Sequence, residues 1–149
     1  MKNLLDKDVY IELTKRVQNL QPDSKAHWGK MNVSQMIAHV SEAYKVPLSE
    51  TAMPRMFIGR LIGWAIKPTL YNDKAWKQNL PTAPNFVIKD ERDFNTELLK
   101  LLNIIEKFHQ TGSEKIGRYP HPMFGSFSTD QWGMAMYKHL DHHLIQFGV

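Results

Sequence analysis

Apolar residues recur along this chain at helical spacing, and they mark out four long segments. In the first, Leu5, Val9, Ile11, Leu13, Val17 and Leu20 form a broad stripe, and Gln21-Pro22-Asp23-Ser24 ends it. The second helix is expected to open at Asn32. An asparagine side chain accepts a backbone N–H there, and Gln35, three residues on, can reach back to complete a capping box. Its inward face reads Val33, Met36, Ile37, Val40, Ala43 and Tyr44, and Pro47 closes it. The third runs from Asp90 to His109, with Phe94, Leu98, Leu99, Leu101, Leu102, Ile104, Ile105 and Phe108 as its apolar residues and Gly112 as its stop. The fourth starts at Ser128, again with a glutamine, Gln131, at the capping-box position, and ends near Phe147.

The segments between these helices carry the other signals. Pro54, Pro68, Pro81 and Pro84 break residues 48–89, while Met56 to Ile66 is apolar with Arg60 inside it. That run is too short and too charged to span a membrane. It reads as a short helix in a long crossover, carrying Phe57, Trp64 and later Trp76 over one end of the core. An interfacial membrane helix is disfavoured at this level, because the basic residues do not form one clean polar face. Thr111 to Phe127 is a long loop with the pair His121-Pro122, and loops of that length are more often functional than not. With no convincing strand, the expected fold is all-α: a four-helix bundle with a long crossover between the second and third main helices.

Composition narrows the classes. A chain of 149 residues suits a single domain over 1–149, and 42% hydrophobic content with 11% aromatics excludes a disordered chain. The absence of cysteine removes disulfides, thiolate metal sites and a protein-borne thiol nucleophile. Met1 to Asp8 has no apolar core of export-signal length, so a cytoplasmic location is expected. The formal charge of +4 is local in origin: Arg55, Arg60, Lys67, Lys74 and Lys77 stand against Asp73 alone. No nucleic-acid motif accompanies them, so nucleic acid is not an expected partner. A solvated basic face is the default for such a stretch, followed by an anionic small molecule or a lipid surface.

The candidate chemistry lies in histidine. Three of the seven histidines fall within His139-Leu140-Asp141-His142-His143. Residues four apart on a helix are about 40° apart around its axis, so His139 and His143 share a face and can point at one ion. His142 lies about 60° from His139 on the other side and is the alternative partner. Their face also carries Trp132, Ala135, Met136 and Gln146, so it should look inward. A single histidine on such a face is usually a hydrogen-bonded core residue. A third from a facing helix changes that balance, and His39, between Met36 and Ala43, is placed to supply it. Glu42 follows one turn later on the same side.

The block Trp28-Gly29-Lys30-Met31-Asn32-Val33-Ser34-Gln35-Met36-Ile37-Ala38-His39, together with His139-x-x-His142-His143-x-x-Gln146, resembles the DinB-like (DinB/YfiT) superfamily of metal-dependent enzymes. His121-Pro122-Met123-Phe124-Gly125, Gln131-Trp132-Gly133 and the Gln146-Phe147-Gly148-Val149 ending are similar to an uncharacterised branch of it. The resemblance covers nearly the whole chain. It implies a four-helix bundle holding a divalent metal, usually zinc or nickel, by one histidine of the second helix and two of the last. Matched residue by residue, these are His39, His139 and His143, whereas His142 occupies the position before the final ligand. Frequent homodimers are also implied, as are activities that include small-thiol-dependent transferases and isomerases.

Three functions compete on these grounds. The first is a metal-dependent enzyme on a small-molecule substrate, an anionic one if the basic stretch lies near the site. Three neutral imidazoles leave a coordination position open, and a bound metal lowers the pKa of its water toward ~7. A thiol route needs a low-molecular-weight thiol cosubstrate because the chain has no cysteine. Hydrolysis needs a proton acceptor, for which Glu42, His142 and the loop residue His121 are the candidates. The second is a non-catalytic metal- or ligand-binding protein of stress responses. The third is a plain helical bundle whose histidines satisfy core hydrogen bonds.

Overall fold

Five α-helices organise the computed structural model, which describes all residues except Ser113 and the side chain of Asn85. They are α1 (Lys7–Gln18), α2 (Val33–Tyr44), α3 (Phe57–Ile66), α4 (Phe94–Gln110) and α5 (Thr129–Gln146), with 3-10 turns at Lys67–Leu70 and Pro84–Phe86. No strand occurs among the described residues. Among the described residues, no helix is long and apolar enough to cross a membrane.

Both expected capping boxes form, and they start the two helices that carry the site. Asn32 Oδ1 accepts from the Gln35 backbone N–H at 2.9 Å while Gln35 Oε1 accepts from the Asn32 N–H at 3.1 Å. Ser128 and Gln131 do the same at the head of α5, at 3.2 and 3.1 Å. The start of α4 differs from expectation by a few residues. Asp93, not Asp90, is the N-cap, because its Oδ1 accepts from both the backbone N–H and the hydroxyl of Thr96, at 2.8 and 2.6 Å. Asp90 lies before the helix and pairs with Arg92 at 2.9 Å.

Helix α2 packs on both α4 and α5, and α1 packs on the same two helices. The inward stripes meet in one core: Leu13 and Val17 of α1, Met36, Ile37, Val40 and Tyr44 of α2, Leu101, Ile105 and Phe108 of α4, and Trp132, Leu140 and Leu144 of α5. Each large apolar side chain so buried stabilises the fold by about 1.5–3 kcal/mol relative to exposure. The one polar atom Tyr44 brings inside is satisfied, its hydroxyl donating to the Met136 carbonyl at 3.1 Å.

The crossover contains the expected short helix, α3, but not in the expected orientation. Phe57 and Trp64 are 75% and 76% exposed and do not cover the core. The inner side of α3 is Gly59 and Gly63, which let the backbone of Met123 approach so closely that a Cβ at either position would stand 2.3 Å from its carbonyl oxygen. The Met56 N–H also bonds the Pro122 carbonyl at 3.0 Å. Of the three aromatic residues expected over the core end, only Trp76 reaches it.

Candidate metal centre

Helices α2 and α5 bring His39, His139 and His143 to one point. Each offers a nitrogen, and these lie within 4.8 Å of one another. The three rings form a near-equilateral triangle, with centroids 5.0, 5.0 and 4.9 Å apart and planes crossing at 87°, 76° and 71°. The i, i+4 pair therefore meets the histidine from the facing helix, and the three together could hold a metal ion.

The hydrogen bonds behind two of the rings decide which nitrogen looks inward. His39 Nδ1 is 2.9 Å from the carbonyl oxygen of Phe86, which can only accept, so Nδ1 carries the proton and Nε2 is the bare nitrogen. His143 Nδ1 donates to Gln146 Oε1 at 2.8 Å, and Gln146 Nε2 in turn donates to the Trp28 carbonyl at 2.6 Å. That second bond orients the amide, so His143 too presents Nε2. Glycine is needed at position 29, where φ is +85° and a Cβ would stand 2.6 Å from Gln146 Nε2.

Electrostatics agree with neutral rings. Burial pushes His143 down to about 3, with the neighbouring His39 adding to the effect and Gln146 opposing it. Burial also lowers His39, against the Phe86 carbonyl, and holds His139 well below 6.5 with help from the other histidines. Uncharged imidazoles at neutral pH are the form that binds a cation.

A divalent cation fits this donor set for a further reason. His39 Nε2 and His139 Nε2 are 3.1 Å apart, close to the separation of roughly 3.4 Å for two nitrogens bound tetrahedrally at ~2.1 Å. His39 and His143 both turn bare nitrogens inward, and the one proton of a neutral His139 can serve only one of them. A cation serves both.

The other sequence candidates stand around this centre or away from it. His142 is outside the triangle, its ring 5.3 Å from His143 and flanked by Trp28 and Trp76 at 5.6 and 5.5 Å. Trp76 also touches His139 at 5.8 Å, so the crossover walls the site with an indole and reaches behind it with the Phe86 carbonyl. Glu42 is partly exposed and pairs with Lys45. His121 is committed to its own loop. Its Nδ1 accepts from the backbone N–H groups of Met123 and Phe124 at 2.9 and 3.2 Å, and its ring packs on Phe124, Phe127 and Trp132.

Lys138 is a residue the sequence did not single out. It is 6% exposed, and its ammonium donates to the carbonyls of Thr69 and Asn72 and to Asn72 Oδ1 at 2.7, 2.8 and 2.7 Å. Trp76 Nε1 donates to the same Thr69 carbonyl at 2.9 Å, so Lys138 fastens the segment that carries the indole. A lysine adjoining a histidine cluster reads as solvated in sequence, and the partners that bury it are more than sixty residues away.

A family model matches residues 3–148, almost the entire chain. The chain belongs to the family described as "Protein of unknown function (DUF1569)". No curated protein and no solved structure matches it. The DUF1569 description states no activity, so for this member the chemistry rests on the three histidines and their supports.

Proposed function

We propose that His39, His139 and His143 hold one divalent metal ion, zinc or nickel, in a four-helix bundle of the DinB-like kind, and that this DUF1569 member is a metal-dependent enzyme, either a hydrolase or a transferase using a small thiol. The observation that carries the reading is the pair of fixed tautomers: Phe86 and Gln146 each take an Nδ1 proton and leave an Nε2 lone pair aimed at the shared centre. The resemblance of the Trp28–His39 and His139–Gln146 blocks to the DinB/YfiT superfamily supports it independently.

A bound ion would polarise a substrate oxygen and acidify a water or thiol beside it. The protein's own share is positional. The three imidazoles would fill three positions on the ion, Trp76 supplies an apolar wall beside His139, and Trp28 packs on His142. His142 stands at the rim, its pKa lowered by burial against the pull of Asp141, so it is neutral at pH 7 and able to accept a proton from an entering water or thiol. The thiol must come from a small molecule, since the chain has none.

One observation favours a metal-free reading: 3.1 Å is also an ordinary N–H···N distance between His139 and His39. Elemental analysis of protein purified without a histidine tag decides between them. Stoichiometric metal that His143→Ala loses and His142→Ala retains supports the site. Metal-free wild-type protein that takes up neither zinc nor nickel refutes it. Turnover of electrophiles with added thiol, compared with ester and amide hydrolysis, then assigns the reaction.

A further inference from the structure

Helix α3 rests on the protein by its two glycines and turns its large side chains to solvent. Phe57, Ile58, Leu61, Ile62 and Trp64 are 75%, 46%, 56%, 42% and 76% exposed. At 100° per residue these five cover one continuous side of the helix, opposite Gly59 and Gly63, with Arg60 at its edge. Elsewhere the exposed large apolar residues are more scattered, which needs no explanation; a contiguous patch does. Arg55, Arg60, Lys74 and Lys77 have no carboxylate partner among the described residues, and Asp73, the single acid of the stretch, is taken by the Met1 amino group at 3.1 Å.

We propose that this face docks on an anionic lipid bilayer, with α3 lying in the interface, its apolar side in the acyl boundary and Arg60, at its edge, against lipid phosphates. A helix of ten residues, about 15 Å long, can lie in that plane but not cross it. Its composition suits the position: Trp, Phe, Leu and Ile outward, with an arginine at the rim. The sequence-level objection was the lack of a clean polar face. That objection applies to an isolated helix, whereas here the glycine side is covered by the loop at Met123 and the protein itself takes the place of the polar face. A second copy docked by two-fold symmetry would set the same uncompensated basic residues against each other, and charge complementarity selects the bilayer instead.

The test is cosedimentation of the full chain with vesicles of phosphatidylcholine alone and of phosphatidylcholine mixed with phosphatidylglycerol, at low and high salt. The wild-type chain is expected to pellet with the anionic vesicles and to be released by salt. Leu61→Glu and Trp64→Glu should each lower partitioning by about tenfold or more, with helicity retained because both side chains already face solvent. Arg60→Glu should remove the preference for anionic lipid. Wild-type protein that stays in the supernatant with both vesicles overturns the proposal. Equal binding to both vesicle types, indifferent to Arg60→Glu, overturns the anionic assignment. A dimer in analytical ultracentrifugation that Leu61→Glu dissociates, without vesicle binding, gives the face to a second copy and overturns it as well.

Discussion

Gln146 and His143 stand one turn apart on α5, joined by a 2.8 Å bond from the imidazole Nδ1–H to the amide oxygen. The other end of the same amide is held by the Trp28 carbonyl at 2.6 Å. The connector before α2 thereby sets the protonation of a ring on the last helix. Gln146→Leu keeps the volume and removes the acceptor, so it should weaken zinc binding by about 10–100-fold, as loss of an outer hydrogen bond behind a ligand does. Gln146→Glu keeps the acceptor for His143 but sets a carboxylate oxygen against the Trp28 carbonyl in place of the donating amide, so it should retain the affinity only in part. Competition with a chromogenic chelator measures both. Unchanged affinity in a folded Gln146→Leu variant would show that the bond does not orient the ring.

His121 is expected to make the protein acid-sensitive through its loop. Burial, with Arg55 adding repulsion, lowers its pKa from 6.5 to about 4. The folded form therefore binds fewer protons than the unfolded chain between those values, and its share of the stability, complete above pH 6.5, is lost as pH falls toward 4. Protonating Nδ1 would also take away the acceptor for the Met123 and Phe124 N–H groups. In His121→Phe the slope of unfolding free energy between pH 4 and 6.5 should become shallower by up to about 1.4 kcal/mol per pH unit, the value for one proton. Urea titrations at several pH values read this directly. A slope identical to wild type would mean that His121 is not a linked group.

Gly63 is required by a contact and not by a turn. A Cβ there would sit 2.3 Å from the Met123 carbonyl oxygen, which is backbone and cannot swing aside. Gly63→Ala should cost about 1–3 kcal/mol by overpacking, even though alanine favours a helix more than glycine does. A lowered denaturation midpoint checks it. Stabilisation instead would show that α3 does not rest on Met123.

Lys138 ties α5 to the crossover by three acceptors. Lys138→Met should destabilise the chain by about 1.5–3 kcal/mol, the scale of a charge-assisted hydrogen bond lost from a buried place. Hydrogen exchange at residues 69–76 should quicken more than in the body of α2. Because Trp76 lies in that segment and against His139, its fluorescence should shift as well. Uniform exchange across the chain would argue that the ammonium is not an anchor.

Much of this protein is encoded within a few residues at a time, and that part can be read directly. Asn32 with Gln35 and Ser128 with Gln131 act across three positions, so the starts of α2 and α5 follow from local geometry alone. The shared face of His139 and His143 follows from helix pitch in the same way. The start of α4 lies a few residues past Asp90, because the Asp93 carboxylate takes the Thr96 backbone N–H and hydroxyl and caps the helix there. What folding alone decides acts over long distances. His39 meets His139 across a hundred residues because α2 and α5 pack together. The Phe86 carbonyl behind His39 is a backbone atom that every residue possesses, so no side-chain pattern can announce it. The outward turn of Phe57 and Trp64 depends on where Met123 lies, since an amphipathic helix shows that it has two faces but not which one the rest of the protein will cover.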